Sequence, residues 1–296
     1  HYLNLIGGFR YTNDHYVSAL QEGHNTGNDK TPNVSGSLNF SDVSGVDETW
    51  RSFAYYANAD YNYKYKYFVQ GGLSMETSSR FGRDVEAGLK LAGVHWGLFP
   101  SIQTAWLLSS EDFFNREALG INSLKLSAGY DVSGNDDVAI TASRTSLSAT
   151  RFMNGSVGLV LNNIGNTGIQ WETTHRLRVG LDLTEYNNIL AFSLNFFKSY
   201  TNNLLTLKSL PEITGEGYYW SNDGSLENIG LDFGVRFKLL NRKNWKWELG
   251  ANATAYKNKI TALPDGDYTT TIYGANVLTS VGRAAGVFYG YGTDGV

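Results

Sequence analysis

Side chains that perform chemistry are sparse in this sequence and poorly spaced for it. The five histidines (His1, His15, His24, His95 and His175) form no HExxH pair and no other metal-ligand spacing. With no cysteine, a thiolate metal site, a cysteine nucleophile and a disulfide scaffold are excluded. No serine stands in a GxSxG elbow. Gly290, Gly292 and Gly295 match GxGxxG, but only Val296 follows here, so no helix N-terminus is available to hold a pyrophosphate. The acidic neighbours Glu111–Asp112 and Asp136–Asp137 lack the spacing of a calcium loop. An enzyme is not expected, and neither a cofactor nor a metal is called for. Two groups instead suggest binding. Tyr218, Tyr219 and Trp220 follow one another in a polar stretch, where flat aromatic faces stack on sugar rings or peptide side chains, or else pack on neighbouring loops. Asp232, Arg236 and Lys238 share one face of an alternating run, where they line a water-filled lumen or pair across strands.

The elements that carry these residues are strands. Ile229, Leu231, Phe233, Val235, Phe237 and Leu239 are all apolar, and between them lie Gly230, Asp232, Gly234, Arg236 and Lys238. Side chains alternate across a strand, so this run has one apolar face and one that is charged or bare. The same alternation recurs at Trp245–Thr254, Arg176–Leu183, Leu190–Phe196 and Leu124–Tyr130, and no helical period of comparable quality occurs. The pattern predicts about ten strands, roughly 1–11, 50–62, 66–77, 99–110, 121–131, 169–183, 188–200, 226–239, 244–258 and a poorly patterned last one from about 281. Short connections alternate with long ones, the latter at about 12–49, 78–98, 132–168, 201–225 and 260–280.

Strands this long exceed the five or six residues usual in soluble sheets and suit tilted bilayer crossings. Aromatic residues near strand ends (Trp50, Tyr61, Tyr63, Tyr65, Tyr67, Trp106, Trp171, Trp245, Trp247) stand where a membrane barrel carries its girdles. No apolar run approaches the roughly 20 residues of a membrane helix. The net charge of −4 gives no basic footprint for nucleic acid. The expected fold is therefore all-β, an antiparallel transmembrane β-barrel with long extracellular loops. Ten such strands leave two open edges, which lipid does not tolerate, and the Gly and Ser of the polar face fill a narrow lumen poorly. An incomplete wall of a wider barrel follows as the expectation.

Several stretches are more specific than composition. Phe99-Pro100-Ser101 leading to Ala105-Trp106 and Ser110-Glu111-Asp112-Phe113 resembles the FPS…W…E-x-F signature of the SusC/RagA family of TonB-dependent outer-membrane transporters. Ser123–Tyr130 with Gly134-Asn135 is similar to that family's LKLRASYG…GN segment, although Ser127, Gly129 and Asp131 depart from it. Trp171-Glu172-Thr173-Thr174 with Gly180-Leu181-Asp182, Tyr200-Thr201, Pro211, Glu227-Asn228-Ile229-Gly230, Asn258-Lys259-Ile260 and Gly286-Val287-Phe288-Tyr289-Gly290-Tyr291 continue in family order. The resemblance implies a 22-stranded barrel closed by an N-terminal plug. It also implies import of oligosaccharides or peptides driven by TonB, and a SusD-like surface lipoprotein over the outer mouth. Plug, TonB box and the family's further strands have no counterpart in residues 1–296, so the expectation is part of such a barrel, embedded in outer-membrane lipid. Two other readings make different demands. A barrel scaffold would hold a surface lipoprotein or secreted partner on its loops. A soluble carbohydrate-binding domain would pack Leu231, Phe233, Val235 and Phe237 on a second sheet.

Overall fold

The computed structural model describes residues 1–24, 39–152, 156–185, 188–215, 218–272, 274–290 and 292. Parts of the expected 12–49 loop and the end of the glycine motif at Gly295 lie outside these residues. The strands are β1 (Tyr2–His24), β2 (Asn39–Tyr63), β3 (Tyr67–Ser78), β4 (Leu89–Leu91), β5 (Val94–Leu107), β6 (Ile121–Asn135), β7 (Ser146–Phe152), β8 (Ser156–Asn163), β9 (Glu172–Glu185), β10 (Leu190–Ser209), β11 (Tyr218–Asn241), β12 (Lys246–Ala262), β13 (Tyr268–Ile272), β14 (Ala275–Thr279) and β15 (Val287–Phe288). One helical turn, α1 (Arg116–Leu119), lies between β5 and β6, capped by the Asn115 side chain and closed by Gly120 at φ 64°. Among the described residues no helix is long and apolar enough to cross a membrane.

The wall pairs in the order β1-β2-β3-β5-β6-β9-β10-β11-β12, every neighbour antiparallel, with β4 added on β5. β7 and β8 form a separate hairpin, and β13, β14 and β15 a separate small sheet. The last strand expected from about 281 is thus not in the wall. Gly282 and Gly286 take φ of 87° and 77°, which turns the chain instead of extending it. That segment meets the free edge of β12, where the Ile260 N–H donates to the Arg283 carbonyl and the Gly282 N–H to the Ile260 carbonyl, both at 2.8 Å. The ladders also run further than the alternation does. β1 and β2 stay paired from Thr12↔Ser52 to Glu22↔Asp42, and β10 and β11 reach Ser209↔Tyr218, so much of the expected 12–49 and 201–225 loops is strand. Pro100 sits inside β5, but the ladder to β6 starts one residue later, at Ser101↔Asp131, so its missing N–H breaks no rung on that side.

Register makes each face continuous. Leu3, Tyr61, Val69, Thr104, Ala128, Val179, Phe196, Leu231 and Ala255 form one cross-strand row from β1 to β12. One residue over, Asn4, Asp60, Gln70, Gln103, Gly129, Arg178, Phe197, Gly230 and Tyr256 form the matching row of the other face. The apolar face is uncovered. Phe233 is 38% exposed, and Leu231 and Phe237 are open as well, so the second sheet that a sandwich requires is not there among the described residues.

Aromatic rings bound this apolar face at two levels. Phe53 lies near Phe9, Tyr55 and Trp96 with ring centroids 4.9–6.0 Å apart. At the other level Tyr67 stacks on Trp106 at 6.2 Å and meets Tyr63 at 6.1 Å. Trp96 and Trp106 are ten residues apart on β5, and at about 3.4 Å per residue and a tilt of 35–45° that separation is about 25 Å of height, the apolar band of a membrane barrel. Trp50 and Trp171, expected in the girdles, are elsewhere. Trp50 falls on the polar face, paired with Asp14, and Trp171 is 6% exposed inside a core made by the connections.

That core gathers Val85, Val138, Ala142, Ile169 and Trp171 from the segments after β3, β6 and β8. Phe81 approaches Trp171 at 4.3 Å and Phe99, on the polar face of β5, at 6.4 Å. Backbone bonds stitch the segments: Gly82 N–H to Ile169 O (3.1 Å), Asp84 N–H to Thr167 O (2.9 Å) and Asn166 N–H to Ala142 O (2.8 Å). A Cβ at Gly134 would collide with the Phe99 ring, so glycine there is what lets the ring lie flat on the sheet.

Candidate functional site

Among the described residues, hollows open along the polar face. The first, about 580 Å³, lies low on the wall between Asp60, Gln70, Gln103, Lys125, Asp131, Arg178 and Asn195. Three of its charges are matched across strands: Lys125 Nζ to Asp182 Oδ2 at 2.8 Å, and Asp131 facing Arg176 at 3.7 Å and Arg178 at 3.9 Å. A lining of balanced charges and amides offers many donors and acceptors with no strong net field.

Beside it a hollow of about 400 Å³ is lined by Asp182, Ser193, Arg236 and Asn252. Asp232, Arg236 and Lys238 all belong to this polar face of β11, with cross-strand partners for two of them. The Thr254 hydroxyl donates to Asp232 Oδ1 at 2.8 Å, and Arg236 Nε stands 2.9 Å from Glu248 Oε1. Lys238 is opposite Glu248 in the ladder, next to a bulge before Leu240.

A third hollow, about 230 Å³, opens where the polar face meets the connection core, between Tyr16, Glu48, Trp50, Arg80, Asp137 and Trp220. Arg80 is its centre. Its side chain is 15% exposed, with the guanidinium carbon 4.3 Å from the centroid of the Trp50 ring. Its Nη1 donates to the Asp136 carbonyl at 3.0 Å and lies 3.5 Å from Asp137 Oδ1, while its buried Nε has no partner. Trp220 is held through its own backbone, whose carbonyl accepts from Asn166 Nδ2 at 2.9 Å. Asn222 steadies the same strand, accepting from the Gln170 N–H at 2.8 Å and donating to the Gln170 and Asn203 carbonyls at 2.9 and 2.8 Å. Of the aromatic trio singled out by sequence, only Trp220 lines this hollow. Successive side chains of a strand point to opposite faces, so Tyr219 and Trp220 part, and the Tyr218 side chain lies outside the described residues. Sequence reasoning missed Arg80, Glu48 and Tyr16. The readable signal was parity, since Trp50 stands an odd number of positions from Phe53 and Tyr55.

At the opposite end of the wall Glu111 ties three side chains together. Its Oε1 accepts from the Tyr67 hydroxyl at 2.6 Å and from Trp106 Nε1 at 2.9 Å, and its Oε2 from Lys66 Nζ at 3.1 Å. The side chain is 12% exposed. These bonds, that from Tyr67 foremost, hold its carboxyl down to about 2, well below the ordinary range. Among the described residues no three His, Cys, Asp or Glu side chains could together hold a metal ion.

The family model described as "TonB dependent receptor-like, beta-barrel" matches residues 2–295. A TonB-dependent receptor of Formosa agariphila is 30% identical over 256 residues, covering 86% of this chain and 23% of its own. TonB-dependent receptor SusC of Bacteroides thetaiotaomicron is 25% identical over 222 residues, 72% of this chain and 21% of its own. Among solved structures, the RagAB peptide transporter superposes with a TM-score of 0.77 at 19% identity, covering 95% of this chain and 30% of that one, a likeness of fold. The chain spans about a quarter of the length of the curated relatives it matches.

Proposed function

The chain belongs to the TonB dependent receptor-like β-barrel family, and from that premise we propose that it forms part of the wall and outer mouth of a TonB-dependent importer of oligosaccharides or peptides in the bacterial outer membrane. On this reading the apolar face meets lipid and the polar face lines a lumen. Asp232, Arg236 and Lys238 then stand in water, and the connections with Trp220 lie on the extracellular side. A SusD-like lipoprotein covers those connections, and TonB acts through sequence that residues 1–296 do not include.

The observation that carries the reading is the pair of continuous faces over nine strands, one apolar and bounded by rings about 25 Å apart, the other polar and hollowed. Open edges at β1 and β12 fit a wall completed by further strands, because lipid tolerates no unpaired backbone. The test is uptake of labelled oligosaccharides and peptides by cells with and without the gene, before and after the proton gradient is collapsed. Uptake that needs both gene and gradient supports import. Uptake indifferent to the gradient overturns the TonB-dependent reading, and binding of a secreted protein without any uptake favours a scaffold.

A further inference from the structure

We propose that the hollow enclosed by Trp50, Arg80 and Trp220 binds one uncharged sugar ring of an oligosaccharide, which rests on the polar face being open to solutes as the import reading has it. Size comes first. At about 230 Å³ it falls below the roughly 300–1,000 Å³ of sites that enclose a whole drug-sized ligand, so it takes a single ring or side chain.

Chemistry narrows the occupant. Indole and phenol faces at Trp50, Trp220 and Tyr16 offer flat apolar area with polar tips. The Arg80 guanidinium lines the hollow and can only donate. The carboxylates of Glu48 and Asp137 accept hydrogen bonds. An occupant must therefore present an acceptor to Arg80, hydroxyl donors to the carboxylates and an apolar flank to an indole. A pyranose has all three around one ring.

Charge excludes the alternatives. Two carboxylates stand against one guanidinium that is already engaged with the Asp136 carbonyl, so a uronate or sulfate meets net repulsion. Arg80 itself occupies the cation position over Trp50 that a basic peptide side chain would seek.

The test uses the full-length protein in detergent micelles. Tryptophan fluorescence and calorimetry are read against neutral glucans, galactans and xylans, sulfated and uronate glycans, and a mixed peptide set. The expected result is that a neutral oligosaccharide binds and shifts tryptophan emission, and that Trp220→Ala and Arg80→Gln each weaken it by about tenfold or more with unchanged circular dichroism. Binding of charged glycans or peptides alone, of no neutral glycan, or with an affinity indifferent to both substitutions would overturn the proposal. Energised uptake is scored separately. Binding without uptake removes the import reading and leaves the hollow, whereas peptide uptake without any neutral-glycan binding does the reverse.

Discussion

Ile102 and Gln103 are adjacent on β5 and face opposite ways, so one substitution made at each separates the two environments of the wall. Ile102 is 51% exposed on the apolar face, opposite Tyr130 and Gly71, and stands near the midpoint between Trp96 and Trp106. Arginine at the bilayer midplane of a membrane barrel costs about 2–4 kcal/mol, and about 0–1 near the interface. Ile102→Arg should therefore lower the folded-to-unfolded ratio by about 30- to 700-fold, at roughly 1.4 kcal/mol per factor of ten. Leu98→Arg, on the same face but two residues from Trp96, should lose no more than about fivefold. Gln103→Arg places the same charge in the large polar hollow and should cost close to nothing. The assay is urea unfolding of the full-length protein in phosphatidylcholine vesicles, followed by tryptophan fluorescence. Equal losses at 102 and 103 would refute the face assignment, and a loss at 98 matching that at 102 would refute the depth worked out from the two rings.

Three further outcomes follow from particular contacts. Glu111 has its folded pKa near 2, below the ordinary 4.5, so what it contributes is intact above the ordinary value and fades as pH falls toward 2; the emission of Trp106 should hold steady from pH 7 to pH 5 and shift only in that lower window, and Glu111→Gln should remove the shift. Gly230→Ala puts a Cβ into the Phe197 ring and should destabilise by about 1–3 kcal/mol, whereas Gly250→Ala, whose Cβ would meet only the Val235 carbonyl at 3.7 Å, should be neutral in the same urea titration. Trp171→Ala empties the connection core at a cost of about 3–5 kcal/mol; hydrogen exchange should speed up at 79–88 and 136–145 while β9 to β12 stay protected, and uniform loosening would contradict a separate core.

The wall was legible because each of its faces has a single environment. Ile229–Leu239 repeats one alternation, and the ladder only has to keep it in step with Leu190–Phe196 and Trp247–Ala255. Where both faces of a strand meet water, alternation is not required. Thr12–Glu22 and Ser44–Thr49 could therefore pair as strands and still read as loop. Trp50 and Trp171 misled for a related reason: a tryptophan beside a strand end is equally consistent with a girdle, a lumenal face and a buried core, and composition alone does not choose. Arg80 carried no signal at all. It lies in a connection without period, and its meaning comes from Trp50 thirty positions earlier and from Asp136 and Asp137 more than fifty positions later.

These two parts of the molecule are held by different forces, and that bears on where a binding site can be rigid. An apolar face in lipid is already out of water and gains little by packing on a further protein layer, so what organises the wall is a complete hydrogen-bonded ladder. The connection core does exclude water, and Ile169, Trp171, Val85 and Val138 obtain ordinary hydrophobic stabilisation there. Phe99 joins the two, lying over Gly97 and Gly134 of the wall with its ring toward Trp171. Arg80 and Trp220 are fastened to that core through the Asp136 carbonyl and the Asn166 side chain, whereas Tyr16 and Glu48 come from the β1–β2 ladder. The hollow between them therefore has one wall set by the core and one by the barrel.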